Sequence, residues 1–332
     1  MLLNEKILDV RDMECETRCP LISETFEALE RAAVLEWGWT YAAPLSFVLA
    51  TIGMFLGLDG FSAAFLIAGT VLLVALLGWL MYRHSATHHL IMLAGGVALL
   101  VGNAGYVSGL PVSEVAAWWI AFPVLTIFGE RLELNRIMRP PEKARLLFTV
   151  LIFLWLAALA AMHLSREAGW VASSILLLPM AVWLVKYDIA RRTIRTLHWS
   201  RYSALNMLTA YAWIVVAGLF GIGYGLPYAG PVYDAILHLF FVGFVFSMIF
   251  AHAAVIIPAL TGLTVPWSRY FYLPYALLNF FLIARILGDV LWIPLWRTAG
   301  SWGNVAAILL FLLGILIGVL ATTWRKTHPT VT

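Results

Sequence analysis

Ten apolar stretches, each long enough or nearly long enough to cross a bilayer, dominate this chain of 332 residues. They run approximately Tyr41–Leu58, Phe61–Tyr82, His88–Leu110, Glu114–Glu130, Leu146–His163, Gly169–Lys186, Ser203–Gly223, Pro231–Ala259, Tyr270–Leu291 and Asn304–Trp324. A hydrocarbon core about 30 Å thick takes roughly 20 helical residues to cross. Within it every backbone N–H and C=O needs an internal partner, so repeated stretches of this length fold as helices. Composition agrees: 62% of residues are hydrophobic and 12% charged, against about 25% charged in a soluble domain. Mean hydropathy is +0.90. The expected fold is all-α, a polytopic integral membrane bundle of about ten transmembrane helices. Turn residues punctuate its junctions, as Gly57-Leu-Asp-Gly60, Gly109-Leu-Pro111, Pro140-Pro141 and Gly225-Leu-Pro227.

Charge sets the expected orientation. With the N-terminus inside, all of the 21 lysines and arginines except Arg166, Arg285 and Arg297 fall on the inner side. That bias is the positive-inside pattern and places both termini inside. Trp37, Trp39, Trp170, Trp267, Trp292, Trp296, Trp302 and Trp324 lie at span ends, where an aromatic belt belongs. The division expected is an acidic inner segment over 1–38, a ten-span membrane domain over 39–325, and a short inner tail over 326–332. The first segment lacks the basic and apolar regions of a secretory signal. Leu21, Phe26, Leu29 and Ala33 have the spacing of a short amphipathic helix. Both cysteines lie here, in Cys15-Glu-Thr-Arg-Cys19. On a reducing face they are incidental thiols, a redox pair or half of a metal site. The lipid bilayer is the expected partner, and no nucleic acid is.

The eighth stretch carries the chemistry. His238 and His252 stand fourteen residues apart in it. On a regular α-helix they return to within about 40° of one face and lie roughly 21 Å apart along the axis. One imidazole then sits in each leaflet. Ionisable groups at such depth mark functional sites by default, and neutral imidazole is the commonest metal ligand. The plain alternative is a pair of histidines hydrogen-bonded between helices. Asp234, one turn before His238, can fix its tautomer as a supporting carboxylate, or can simply be an acid at a helix N-terminus. Met248, one turn before His252, is a soft ligand or a packing residue.

Other candidates sort by depth. His84, His88 and His89 cluster at the inner end of the second and third stretches; on a continuous helix His84 and His88 would be i, i+4 and meet one metal. His163 ends the fifth stretch on the outer side, at the level of His238, while His198 and His328 are solvated. In the ninth stretch Arg285 and Asp289 are i, i+4 and can pair. Such an arginine holds a haem propionate, holds a transported anion, or is satisfied by its aspartate. Only one helix has the His-x13-His spacing of a two-haem bundle, since Asn103 follows His89 at that interval.

From about Ser203 to Trp324 the chain resembles the C-terminal half of the NnrS family, polytopic membrane proteins tied to nitric-oxide and denitrification metabolism. The resemblance is carried by His238-Leu-Phe-Phe-Val-Gly243-Phe-Val-Phe-Ser-Met248, by Thr261-Gly262, and by the following arginine-bearing span with Arg285. His88-His89-Leu-Ile-Met92 is similar to the family's His-Glu-Met signature, without its glutamate. The family is described as binding haem and copper. The resemblance implies haem or copper held by His238, with His88 or His89 a further ligand. It implies a bacterial inner membrane and a respiratory or denitrification complex, or an electron donor, as partner. Two other classes fit the residues: a transporter of a small anion or metal ion using Arg285, Asp289 and the histidines, and a membrane scaffold or assembly factor for a respiratory complex.

Overall fold

The computed structural model describes residues 38–327, and among these no strand occurs. After a 3₁₀ turn at Gly38–Tyr41 come α1 (Ala42–Phe55), α2 (Asp59–Arg83), α3 (Thr87–Val107), α4 (Val112–Leu134), α5 (Glu142–Ala161), α6 (Arg166–Tyr187) and α7 (His198–Tyr224). Then follow α8, which runs from Pro231 to Thr261 in three segments, α9 (Tyr272–Val290) and α10 (Pro294–Thr327). Among the described residues, nine helices are long and apolar enough to cross a membrane; α1 is the exception. Its 14 residues reach roughly 21 Å, and Leu58 N–H closes onto the Gly53 carbonyl at 2.9 Å to start the return. Cys15, Cys19, the amphipathic stretch and His328 lie outside the described residues.

Consecutive helices pack side by side, and α4 also reaches α8. α4 and α6 are the most enclosed, α2 and α10 the least. Lipid tails are as apolar as leucine, so close packing and polar bridges, rather than burial alone, hold such helices together. The bridges are visible: Asn103 donates to Thr70 at 2.7 Å and accepts from Trp119 at 2.9 Å, linking α2, α3 and α4. Ser203 donates to the Ala251 carbonyl at 2.6 Å, linking α7 and α8.

The main core lies where α4 to α8 meet, and it is aromatic. Phe128 sits 5.5 Å from Phe148 and 6.0 Å from Phe244, and Phe148 stacks on Trp183 at 4.1 Å. A second core joins α7, α8 and α9 to α10, with Phe250 stacked on Phe311 at 3.8 Å. α9 and α10 are joined by a short turn through Trp292, so they form an antiparallel hairpin. Gly288 and Gly300 make its crossing close: a Cβ on Gly300 would lie 2.7 Å from the Arg285 backbone. α10 begins ten residues before the apolar stretch expected from Asn304, because Pro294 is a favourable first helical residue. That extension brings Arg297 off an outer loop and onto a helix facing α9.

Candidate functional site

α8 is not one regular helix. Pro231–His238 and Ser247–Thr261 are α-helical, but Leu239–Phe246 between them is a π-helix with i→i+5 bonding. Gly243 sits in this segment because a Cβ there would lie 2.8 Å from the Trp213 indole of α7; Trp213 in turn donates to Asn279 of α9 at 2.7 Å. The wide turns break the expectation of a shared face. Eight residues of i→i+5 bonding fall behind α-helical rotation by on the order of 100°. His238 is therefore turned toward α9, within electrostatic range of Asp289. His252 is turned toward α4, within range of Arg131. π-segments concentrate at functional sites, which directs attention to the two ends of this one.

At one end stands a four-charge network from three helices. Asp234 of α8 accepts from Arg285 of α9. Arg285 Nε lies 3.2 Å from Asp289, whose other oxygen lies 2.5 Å from Arg297 Nε of α10. Arg285 Nη1 also donates to the Arg297 carbonyl at 3.0 Å and to Ser301 Oγ. The i, i+4 pair expected within α9 is thus half of a larger, charge-balanced set, with Asp289 fully buried. Arg285's donors are largely taken up inside the protein. His238 Nδ1 lies 2.8 Å from the Asp234 carbonyl and 3.5 Å from its carboxylate. A carbonyl can only accept, so Nδ1 is the donor, and in the neutral ring the lone pair belongs to Nε2.

At the other end His252 repeats that arrangement: its Nδ1 donates to the Met248 carbonyl at 2.7 Å. Met248 thus contributes its backbone oxygen while its side chain lies in the core. Beside it is a second network that the sequence reading missed. Arg131, assigned there to an inner loop, lies within α4 and is 1% exposed. Its Nη1 lies 3.1 Å from Met207 Sδ and 3.9 Å from Asp188. Asp188 is anchored by the Ala190 N–H and by Tyr211 of α7, both at 2.8 Å. Asn135, one turn past Arg131, is fully buried, and neither end of its amide has a hydrogen-bond partner. No sequence signal marks Arg131 or Asp188, because charges at span boundaries are ordinary.

His84, His88 and His89 do approach one another, but not as expected. α2 stops at Arg83 and the chain turns through an extended Ala86 before α3 begins. His84 and His88 are therefore on no common helix. The rings of His88 and His89 are 4.1 Å apart and those of His84 and His89 6.1 Å. His88 Nδ1 pairs with Glu133 of α4 at 2.8 Å, and His89 Nδ1 donates to the His84 carbonyl at 2.7 Å. Among the described residues no three His, Cys, Asp or Glu side chains converge as a metal-binding group. His163 stacks on Trp118 at 5.8 Å.

The molecule is therefore an all-α multi-pass membrane bundle, with one buried charge network at each end of a π-interrupted helix. The chain belongs to the family described as Domain of unknown function (DUF8744), which it matches over residues 23–320. No curated protein and no solved structure matches it.

Proposed function

We propose that this chain is an NnrS-like protein of the bacterial inner membrane. On this reading it carries a haem or copper centre at the histidines of α8 and works in nitric-oxide or related small-gas and respiratory metabolism. The observation that supports the reading is the shared state of His238 and His252. Each commits Nδ1 to the carbonyl four residues back, which in the neutral ring assigns the lone pair to Nε2. Ligating histidines are oriented in this way, by a second hydrogen bond that fixes ring and tautomer. At His238 the supporting carboxylate of Asp234 is itself held by Arg285. The donor set fits a centre with one protein imidazole at each site; the turned faces of α8 disfavour one metal shared by both. A bound haem or copper would supply reversible diatomic-gas binding and electron exchange. The basic end of the bundle faces the cytoplasm on the positive-inside argument, and a respiratory or denitrification complex is the partner of choice.

The test is the optical spectrum of detergent-purified protein, oxidised and dithionite-reduced, with metal analysis, beside His238→Ala and His252→Ala. A Soret band or copper signal lost in one variant assigns its ligand. Protein with neither haem nor stoichiometric copper, from cells supplied with both, refutes the reading.

A second reading, transport of a small anion, has one observation in its favour. Arg131 is almost fully buried, 3.9 Å from Asp188, with its Nε lacking a hydrogen-bond partner. Colourless protein that accumulates nitrite or chloride in proteoliposomes, and stops doing so as Arg131→Gln, would establish it; no uptake above empty vesicles would end it.

A further inference from the structure

A cavity of about 320 Å³ opens between α6 and α7 on the outside of the bundle, lined by Ala181, Val182, Val185 and Val215 and closed at one end by Lys186 and Arg191. Its walls are aliphatic, and Val182 and Val185 are exposed on the face that meets the bilayer. The cationic end is not incidental. Arg191 stands on a single helical turn, Ala190–Thr193, placed there because Asp188 leaves the helix and caps that turn through the Ala190 N–H. Arg192 and Arg195 are exposed on the same stretch, and Lys186 is braced by Tyr187, whose ring centre lies 5.0 Å from Nζ. Asp188, the acid two residues from Lys186, is buried against Tyr211 and Arg131 rather than presented to the groove. An aliphatic slot ending in two cations that have no ion pair among the described residues, at the membrane boundary, matches one ligand chemistry: an acyl chain ending in a phosphate.

We propose that this groove binds an anionic phospholipid. Its acyl chain lies along Val182, Val185 and Val215, and its headgroup phosphate is held by Lys186 and Arg191. Filling the slot with lipid satisfies both cations and completes the α6–α7 surface. Because α6 ends in Asp188, the lipid also steadies the segment that anchors Arg131.

The test uses full-length protein in a neutral detergent, titrated with phosphatidylglycerol or with phosphatidylcholine, with native mass spectrometry to count bound lipid. Phosphatidylglycerol is expected to be retained in preference and to raise the melting temperature. The double variant Lys186→Ala/Arg191→Ala should weaken its binding about thirty-fold, from about 1 kcal/mol of headgroup attraction per cation. Val182→Trp, which fills the slot and leaves the charges, should also displace it, while Arg269→Ala, an exposed cation before α9, should not. Equal binding of the two lipids, unchanged binding by the double variant, or equal loss in Arg269→Ala would overturn the proposal. So would a cross-linked second copy of the chain across Val182.

Discussion

The two ends of α8 pair their charges at different range and in different number. Near His238, two aspartates and two arginines from α8, α9 and α10 pair at close range. Near His252, one arginine faces one aspartate at 3.9 Å, and the surrounding amide of Asn135 has no partner. The first network is self-neutralised and ties three helices together. Both networks leave guanidinium nitrogens without a hydrogen-bond partner, Arg285 Nε and Arg297 Nε at the first and Arg131 Nε at the second, an expensive condition inside a membrane. What differs is the pairing: four charges at close range tie three helices at the first end, and a single contact at 3.9 Å joins Arg131 to Asp188 at the second.

Substitutions can break that contrast. The largest effect is expected for Asp289→Ala, which leaves Arg297 without its carboxylate and Arg285 with Asp234 alone. Breaking a buried pair this way costs about 3–5 kcal/mol, read as a loss of thermal stability in detergent; a change below about 1 kcal/mol would show that the network is not a clamp. Asp188→Ala removes the acceptor of Tyr211 and Ala190 and also leaves Arg131 buried without the carboxylate 3.9 Å away, and should cost about 3 kcal/mol. A cost below about 1 kcal/mol would show that Asp188 anchors neither the bonds nor the charge.

Gly300→Ala sharpens the comparison from the packing side. Its Cβ would press on the Arg285 backbone at 2.7 Å, so it should destabilise by about 1–3 kcal/mol, and a double-mutant cycle with Asp289→Ala should be non-additive. Additivity would separate the helix crossing from the charges. Tyr211→Phe is the smallest, at about 1 kcal/mol. If the proposed haem or copper centres are present, it should leave a signal that depends on His238 untouched and alter one that depends on His252; a change at His238 alone would reverse the assignment of the two ends.

Much of this architecture is legible in the amino-acid order. Among the described residues, nine of the ten apolar stretches form helices long and apolar enough to span and the first is a short helix, because length and apolarity decide what can satisfy a backbone in hydrocarbon. The Arg285–Asp289 pair and the Asp234–His238 turn are local, set by helical spacing of four residues, and both are present. What the order could not carry is which helix lies beside which. Arg297 meets Asp289 only because α9 and α10 fold back across Gly288 and Gly300. Arg131 meets Asp188 and Tyr211 only because α4, α6 and α7 converge, from positions where charges usually face water. And the two histidines of α8 point to different neighbours because Trp213 packs against Gly243 in a segment bonded i→i+5, a departure from α geometry to which a count of residues is blind. Periodicity and hydropathy act within one segment, and so they determined the apolar helices and the i, i+4 pairs; close approach between segments distant in sequence is a property of three-dimensional packing, and it decided which charges and rings those pairs meet.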